Sequence, residues 1–414
     1  MNLIIISSDY PYISGNAEFN ILNLQLLTLY KIFSGKYVIP TGKIDGSINH
    51  FEGFTIINGF RRPNPQNILR IIAIFIKFLN YLILDLSKIR INQYFFFSLK
   101  ESFMAYIKGI YFFIYISNFI KKEKIDLSKS LIYGFWFNDY IFGSLLLKKK
   151  FPKCKVVSGA HGHDLYNERR ISNRIPFRSL SMERIDFVVP DSAEGEEYLM
   201  KTNPKFTYKI SKLNSGIEKK YFKVKPSKDG ILRIITLSRI HPVKRIDYLL
   251  RVLKKMENIS QFKIHYHHIG GGENEEKLRE LKENLNFKKF EINIEGRLSE
   301  IELNAFFKEK PIDVFLNVSS TEGTSVALIE AMSYSIPVIV TDVGGNKNIG
   351  NYCNTILPIE FTYKDLLDYL TKIHLNNSYR EKLINLSYDY WEKFHDVKLV
   401  NIKIKKLFKK IINI

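Results

Sequence analysis

The sequence predicts an α/β protein of two domains, each built on a parallel β-sheet with helices on both faces. Short apolar runs alternate with helical patterns at both ends of the chain, an alternation that is typical of parallel sheets. The 414 residues also exceed what one hydrophobic core usually serves. Residues 223–230 form a polar stretch with Pro and Gly immediately before a new strand, and we interpret this stretch as the linker.

The first domain begins with a buried strand at residues 3–7 and a helix at residues 18–30. Two further strands, LIYGF and KVVSGA, surround a helix. The N-terminus has no basic segment, and its apolar run at residues 3–6 is too short for a signal peptide. We therefore expect a cytoplasmic protein.

Residues 68–122 differ from the rest, because Phe, Tyr and Ile alternate there with Lys and Arg. The stretch ILRIIAIFIKFLNYLILDL approaches the length of a membrane span, but Arg70, Lys77 and Asp85 interrupt it. Two interpretations stay open. These residues are either core helices of the first domain or a basic, aromatic surface that lies on an anionic membrane. In the second case, binding to anionic vesicles should fall with salt.

The second domain contains a series of strands separated by helices at residues 245–256 and 274–285. Its strand candidates are ILRIITLS, KIHYHHIG, EINIEG, DVFLNVS and PVIVTD. The chain ends in a basic amphipathic helix whose apolar side chains share one face; these are Val400, Ile404, Leu407, Phe408 and Ile411. It either packs back on the first domain or contacts a membrane. The predicted divisions are 1–222, the linker 223–230, 231–395 and the helix 396–414.

Composition restricts the partners and the chemistry. The net charge of +20 indicates anionic partners such as phosphorylated small molecules, an acidic membrane surface or nucleic acid. Nucleic acid is the least favoured of these, because no basic helix with base-reading side chains and no stacking platform stands out. Cys154 and Cys353 are far apart and form no CxxC pattern, which argues against a disulfide scaffold or a zinc ribbon.

The segment TEGTSVALIEAMSYSIPVIVTDVGG carries the strongest functional pattern. With the strand before it, this segment predicts a βαβ unit: a strand at 313–320, a helix at 326–334 and a strand at 337–341. Ligands bind at the carboxyl ends of strands in such sheets. The N–H groups of Thr324, Ser325 and Val326, at the start of the helix, are therefore expected to form an anion site, strengthened by the helix dipole.

Glu330 lies in the middle of this otherwise apolar helix. A buried carboxylate is costly unless something pairs with it. We expect it to accept hydrogen bonds from ribose hydroxyls. The alternatives are that Glu330 reaches solvent at the helix edge or that it pairs with a nearby Lys.

Further polar groups follow other strands. Arg239 and Lys244, in LSRIHPVKRID, come after the first strand of the second domain, where a guanidinium fork and an ammonium could bind a diphosphate. His161 and His163, in SGAHGHDLY, follow a strand of the first domain beside Asp164. Two His and one Asp without a third cluster do not favour a metal site.

Together these motifs resemble the retaining glycosyltransferases of family 4, which have the GT-B fold. Glu322 and Glu330 match the family's Glu-x7-Glu motif, SRIHPVKR matches its GRxxxxKG motif imperfectly, and EAMSYSIPVIVTDVGG matches its EAMSxGxPVIxTxVGG run. The segments YGFWFNDY and VVSGAHGHDLY resemble the acceptor-side domain of members that build bacterial surface polysaccharides, including O-antigen of lipopolysaccharide and capsule.

The resemblance implies a GT-B fold of two Rossmann-like domains that face each other across a cleft, and it implies roles for individual residues. Arg239 and Lys244 would stabilise the leaving nucleotide diphosphate, Glu322 would bind sugar hydroxyls, and Glu330 would bind the ribose. Backbone groups near Gly323, Thr324, Ser325 and Val326 would hold phosphate and sugar. His161 would lie near the reacting carbon, Gly15 would let its loop approach the diphosphate, and Arg297 and Leu298 would flank the base.

Three departures from the family pattern involve four residues. Ser238 and Arg245 replace glycines around the basic pair, and Ser335 replaces a glycine before Pro337. Asn348 stands where the family usually has Glu, which leaves open which hydroxyls that loop binds.

The expected activity is transfer of a sugar from a nucleotide-diphosphate sugar to a hydroxyl of a lipid-linked oligosaccharide, with retention of anomeric configuration. No metal or other cofactor is expected, because Arg239 and Lys244 would supply the positive charge. The enzyme is expected at the cytoplasmic face of an anionic membrane. The alternatives are a GT-B sugar-nucleotide epimerase or hydrolase and a non-catalytic subunit that binds a nucleotide sugar.

Overall fold

The structure is a computed structural model that describes residues 1–12, 17–42, 53–57, 60 and 68–412. It divides the chain into two compact units. The first comprises Met1–Asn214 together with Asn401–Ile414, and the second comprises Ser215–Val400. The division after Asn214 lies eight residues before the predicted end of the first domain, at residue 222.

The first unit is built on a parallel sheet. In its described part the strands are β1 (Asn2–Ser7), β2 (Gly35–Pro40), β3 (Thr55–Ile56), β4 (Ser130–Gly134), β5 (Lys155–Ala160) and β6 (Phe187–Pro190). They lie in the order β3-β2-β1-β4-β5-β6, and every pairing is parallel. The central strands β1, β4 and β5 are buried almost throughout, as expected for a sheet with helices on both faces.

The helices of this unit connect successive strands. They are α1 (Ala17–Leu29), α2 (Ile68–Lys77), α3 (Leu79–Leu86), α4 (Phe95–Lys122), α5 (Asp139–Leu147), α6 (Gly162–Leu165), α7 (Arg178–Arg184) and α8 (Ala193–Thr202). Asn138 begins α5 by accepting a hydrogen bond from the N–H of Tyr140, and Ser192 caps α8 in the same way through Gly195. Such caps satisfy N–H groups that have no partner inside the helix.

Helices α2 to α4, which include most of residues 68–122, are partly buried and partly exposed, and their contact with a membrane stays a prediction. The C-terminal half of α4 is part of the core, with Phe112 and Ile116 fully buried. The N-terminal half exposes large apolar side chains, and so do α2 and α3; Phe96 is 80% exposed and Ile76 is 65% exposed. Among the described helices, α4 alone is long and apolar enough to cross a membrane, and half of its most apolar window is buried.

The second unit repeats the architecture. Its described strands are β7 (Ile231–Leu237), β8 (Lys263–Ile269), β9 (Glu291–Gly296), β10 (Val314–Asn317), β11 (Val338–Thr341) and β12 (Ile356–Leu357), in the parallel order β12-β11-β10-β7-β8-β9. Its helices are α9 (Ile246–Glu257), α10 (Glu275–Leu285), α11 (Glu300–Glu309), α12 (Val326–Ser333), α13 (Asn346–Cys353), α14 (Tyr363–Leu375) and α15 (Asn377–Phe394). The predicted α/β class with two parallel sheets is confirmed.

The predicted linker is a packed part of the second unit. Asp313 is fully buried, and its carboxylate accepts hydrogen bonds from the N–H and the hydroxyl of Ser227, at 2.9 and 2.5 Å, and from the N–H of Arg233, at 2.8 Å. Its other neighbour is Arg380, 3.7 Å away. Because one buried carboxylate binds Ser227 in the middle of this stretch and Arg233 in the strand after it, residues 223–230 are tied to the second unit.

Helix α16 (Val397–Ile411) spans the division between the units. Its apolar face is buried at Val400, Ile404, Phe408 and Ile411, while Leu407 is half-buried. The ring of Phe408 meets that of Tyr133 edge-on within the first unit, with centroids 5.4 Å apart.

Candidate functional site

The βαβ unit in the second sheet is formed by β10, α12 and β11. Strand β10 lies between β11 and β7, so the loops that follow β7 and β10 emerge side by side at the carboxyl edge of the sheet. The N–H of Ser320, after β10, donates to the carbonyl of Val243, after β7, at 2.8 Å. This pairing brings the Arg239–Lys244 segment against the start of the Thr321–Gly345 segment.

Lys244 and Glu322 form an ion pair between these two loops. The same carboxylate oxygen of Glu322 accepts hydrogen bonds from the hydroxyl of Ser319, at 2.7 Å, and from the side-chain amide of Asn317, at 3.4 Å. Glu322 is 8% exposed, and hydrogen bonds to its charged form compensate for its burial. The arrangement fixes the Lys244 ammonium at the edge of the sheet.

The loop after β11 packs closely on the turn that carries Glu322. Gly345 donates its N–H to the carbonyl of Gly323 at 3.0 Å. Gly344 has a φ of +43°, and a Cβ at this residue would lie 2.0 Å from the carbonyl oxygen of Glu322. Only glycine fits there, so the VGG sequence is needed to hold the Glu322 turn.

The loop after β8 packs against the loop that carries Arg239, and its importance was not predicted from the sequence. It contains Gly270, Gly271 and Gly272 directly after the strand. A Cβ on Gly270, whose φ is +133°, would lie 1.9 Å from the carbonyl oxygen of Ser238, and Ile240 donates its N–H to the carbonyl of Gly271 at 3.0 Å. The loop therefore supports the segment that carries Arg239, and three glycines after a buried strand were the signal for it.

Arg239 and the start of α12 provide positive charge at this edge. The side chain of Arg239 is exposed and forms no ion pair with the residues that the structure describes. Helix α12 begins at Val326, and the side chain of its N-cap, Ser325, does not cap the helix. An arginine fork, the neighbouring Lys244 and a helix N-terminus are groups that bind a phosphate.

Glu330 pairs with a lysine, which is one of the alternatives left open above. Its Oε1 lies 3.1 Å from Nζ of Lys220, and both side chains are mostly buried, at 20% and 15% exposure. The Lys220 ammonium also lies 5.0 Å from the centre of the Tyr334 ring. The Glu330 carboxylate is therefore paired within the fold. A ribose hydroxyl bound to it would have to be accommodated beside the Lys220 ammonium.

Arg297 and Leu298 follow β9, which neighbours β8. Arg297 is exposed, while Leu298 is half-buried and packs on the core of the second unit. Their backbone contacts to a base stay a prediction. Gly15 lies outside the described residues.

His161 belongs to the first unit and stands at the carboxyl end of β5. Its ring stacks on Phe135, with centroids 4.2 Å apart, and its Nδ1 lies 3.1 Å from a carboxylate oxygen of Asp191. Burial alone would lower the pKa of His161, but the hydrogen bond to Asp191 and the charges of Asp164 and Glu18 outweigh burial and raise the pKa. Its Nε2 is buried and has no hydrogen-bond partner among the described residues, so one ring nitrogen is left for another group.

Two of the departures from the family pattern occupy left-handed backbone. Arg245 has a φ of +56° and Ser335 a φ of +66°, a region that favours glycine. At both positions a glycine would adopt the observed backbone without strain. Asn348 lies exposed in the first turn of α13.

Among the described residues, His, Cys, Asp and Glu form no group of three that could hold a metal ion. The cysteines are buried, and burial raises the pKa of both thiols to about 12.

The segment of the second unit that contains the candidate donor-binding residues matches a known protein family. Residues 217–389 match the family described as "Glycosyl transferases group 1". The match covers less than half of the chain, lies within the second unit, and includes Arg239, Lys244, Arg297, Glu322 and Glu330.

Two curated relatives also match part of the chain. The O-antigen biosynthesis glycosyltransferase WbnH and the probable O-antigen biosynthesis glycosyltransferase WbiN, both from Escherichia coli, are each 30% identical over 159 residues, which is 37% of this chain. The chain spans 41% of the length of each of these relatives.

Solved structures share the whole fold. The lipopolysaccharide outer core galactosyltransferase WaaB superposes with a TM-score of 0.66 at 16% identity, over 99% of this chain and 100% of that one. A sucrose-phosphate synthase from Thermosynechococcus elongatus superposes with a TM-score of 0.70 at 14% identity, over 99% of both chains. Anabaena HepE in complex with UDP superposes with a TM-score of 0.66 at 12% identity, over 99% of this chain and 100% of that one. The predicted Rossmann-like halves of the GT-B fold are thus confirmed.

Proposed function

We propose that the protein transfers a sugar from a nucleotide-diphosphate sugar to a hydroxyl of a lipid-linked oligosaccharide, in the synthesis of a bacterial surface polysaccharide. The observation that carries this proposal is the pair Lys244–Glu322 beside Arg239 at the start of α12. These groups lie at the carboxyl edge of a parallel sheet, within the segment that matches group 1 glycosyl transferases.

The proposed reaction relies on positioning and on charge stabilisation. The bond between the anomeric carbon and the leaving phosphate oxygen breaks, and a bond from that carbon to the acceptor oxygen forms on the same face. The acceptor hydroxyl gives its proton to an oxygen of the departing phosphate. Arg239 and Lys244 would stabilise the negative charge that grows on this phosphate, so no metal is required.

Other residues would orient the donor. Backbone groups of Gly323, Thr324, Ser325 and Val326 would hold phosphate and sugar, and Glu322 would accept bonds from sugar hydroxyls while it positions Lys244. Glu330 would take the ribose together with Lys220. His161 has a buried Nε2 without a described partner, which supports a contact with the reacting sugar.

The proposed acceptor is supported by the relatives and by the surface. WbnH is named for O-antigen biosynthesis, and the net charge of +20 favours an anionic membrane. The first unit also exposes large apolar side chains on α2, α3 and the start of α4. A peripheral enzyme at the cytoplasmic face would reach acceptors that are anchored in the membrane.

The proposal is tested by measuring nucleotide release from a panel of nucleotide sugars, with and without a bacterial glycolipid extract and with and without EDTA. We expect release that depends on the extract and is unchanged by EDTA. A rate abolished by EDTA and restored by a divalent ion would contradict the metal-independent mechanism. Release without extract would favour a hydrolase, and isomerised donor would favour an epimerase.

A further inference from the structure

A cavity in the first unit is lined by more positive than negative side chains. It measures about 110 Å³ and lies between α4, the start of α5 and α7, beyond the carboxyl end of β4. Its charged lining comprises Lys108, Arg170 and Arg178, together with Glu101 and Asp139. All of its lining residues belong to the first unit.

Arg178 is the most unusual residue of this cavity. Its guanidinium stacks on the Phe137 ring at 3.9 Å and donates to the carbonyls of Phe137 and Asp164. No described carboxylate lies within ion-pair distance of it, and its buried Nη1 has no hydrogen-bond partner there. Burial lowers the pKa of Arg178 to about 10, because the charged form is poorly compensated.

Arg174, in the same region, has a guanidinium whose charge is compensated by a carboxylate. Arg174 forms an ion pair with Asp85 and also donates to the hydroxyl of Ser102 at 2.8 Å and to the carbonyl of Asp85 at 2.9 Å. Arg170, by contrast, forms no ion pair with a described residue, and its buried Nε has no partner. Of these three arginines, Arg170 and Arg178 form no ion pair with a described residue, although the charge of Asp164 favours the charged form of Arg178.

Each of the two carboxylates of the cavity already has a described partner. Glu101 accepts a hydrogen bond from the hydroxyl of Ser172. Asp139 lies 3.9 Å from the Lys108 ammonium, and burial raises the pKa of Asp139, which favours its neutral form. Three cations thus face two carboxylates, and Arg170 and Arg178 keep donors for an added anion.

An exposed apolar stripe on α4 leads to this cavity. Phe97, Met104 and Lys108 share one face of the helix, and their spacing of seven and four residues places them in line. Phe97 is 49% exposed and Met104 is 47% exposed. Met104 and Lys108 belong to the cavity lining, so hydrocarbon surface runs directly into the group of cations.

We infer that this cavity binds the diphosphate of a lipid-linked substrate, with the lipid chain along the exposed stripe of α4. Planar guanidinium groups bind phosphate oxygens in pairs, and the apolar stripe accommodates a hydrocarbon chain attached to that phosphate. The assignment of this lipid as the sugar acceptor rests on the proposed function. The cavity itself rests on the contacts described above.

The test titrates farnesyl diphosphate into the purified full-length protein and measures binding by calorimetry. We expect Arg170→Gln to weaken binding at least tenfold. The matched control is Arg169→Gln, which removes the same charge one residue away, where the side chain stacks on Tyr166; its affinity should stay within twofold of the unchanged protein. Equal losses in both variants, or no binding to the unchanged protein, would overturn the inference.

Three further measurements distinguish a lipid diphosphate from other anions, and this cavity from the donor site. Inorganic pyrophosphate should bind more weakly than farnesyl diphosphate when the donor nucleotide that the panel identifies saturates the donor site; equal affinity would overturn the lipid assignment. Vesicles of phosphatidylglycerol should not displace farnesyl diphosphate. Displacement would overturn the lipid-diphosphate assignment and would indicate that the cavity binds a membrane headgroup. Lys244→Ala should leave farnesyl diphosphate binding intact while it removes nucleotide binding, so the two proposals fail separately.

Discussion

Lys244 is the residue on which the proposed chemistry most depends. Its ammonium is held by Glu322, which is itself held by Ser319 and Asn317, so the charge is positioned before any donor binds. Such preorganised groups stabilise a transition state more than groups that must be reoriented.

Replacing Lys244 by Ala should therefore reduce the transfer rate by about 10²-fold or more, by analogy with the loss of one preorganised donor. The measurement is initial-rate transfer from the donor that the panel identifies. Lys255→Ala is the control, because Lys255 is exposed in the last turn of α9. A near-native rate for Lys244→Ala would remove this residue from the site.

Glu330 shows how far the sequence could resolve a single residue. Because the helix around it is apolar, the sequence indicated that a buried Glu330 would need a partner. A nearby Lys was one of the partners considered. Lys220 precedes Glu330 by more than a hundred residues, and no local pattern connects the two. The pairing could be recognised only once the chain segment before β7 was seen to lie against α12.

Short elements were predictable where local physics is strong. The strands that follow the linker and the βαβ unit around α12 were recognised from their apolar runs, because buried parallel strands are apolar on both faces. The glycine loop after β8 was missed, since its purpose depends on how closely it approaches the loop after β7. Contacts between loops of different strands have no signature within either loop.

The turn between α12 and β11 should be strained at Ser335. This residue is buried, has a φ of +66°, and its hydroxyl has no partner among the described residues. Left-handed backbone costs a residue with a side chain roughly 1–2 kcal/mol. Ser335→Gly should therefore raise the free energy of unfolding by about 1 kcal/mol.

Urea denaturation measures this change as a higher midpoint with an unchanged slope. Asn354→Gly is the control, because Asn354 has a φ of +55° at the end of α13, and asparagine tolerates this backbone better than serine. The gain for Asn354→Gly should be smaller. A destabilised Ser335→Gly variant would show that the hydroxyl or its packing stabilises the turn.

For the whole molecule, the sequence predicted two α/β halves but could not assign every segment. Residues 68–122 were consistent with a core and with a membrane surface, and α2 to α4 contain both buried and exposed apolar side chains. Periodicity alone could not separate them, because apolar side chains cover several faces of these helices. The unpaired arginines beside α4 were likewise visible only in three dimensions, since Lys and Arg are common throughout the chain.

The central claim is that the second unit binds a nucleotide-diphosphate sugar at the start of α12. It is tested most directly by thermal melting of the full-length protein with a panel of nucleoside diphosphates and nucleotide sugars. A ligand at a hundred times its dissociation constant stabilises the folded state by about 2.7 kcal/mol. We predict that nucleotides of one base raise the midpoint and that Lys244→Ala and Glu330→Gln each reduce the rise. Equal rises in the unchanged protein and both variants, or no rise with any nucleotide, would contradict the claim.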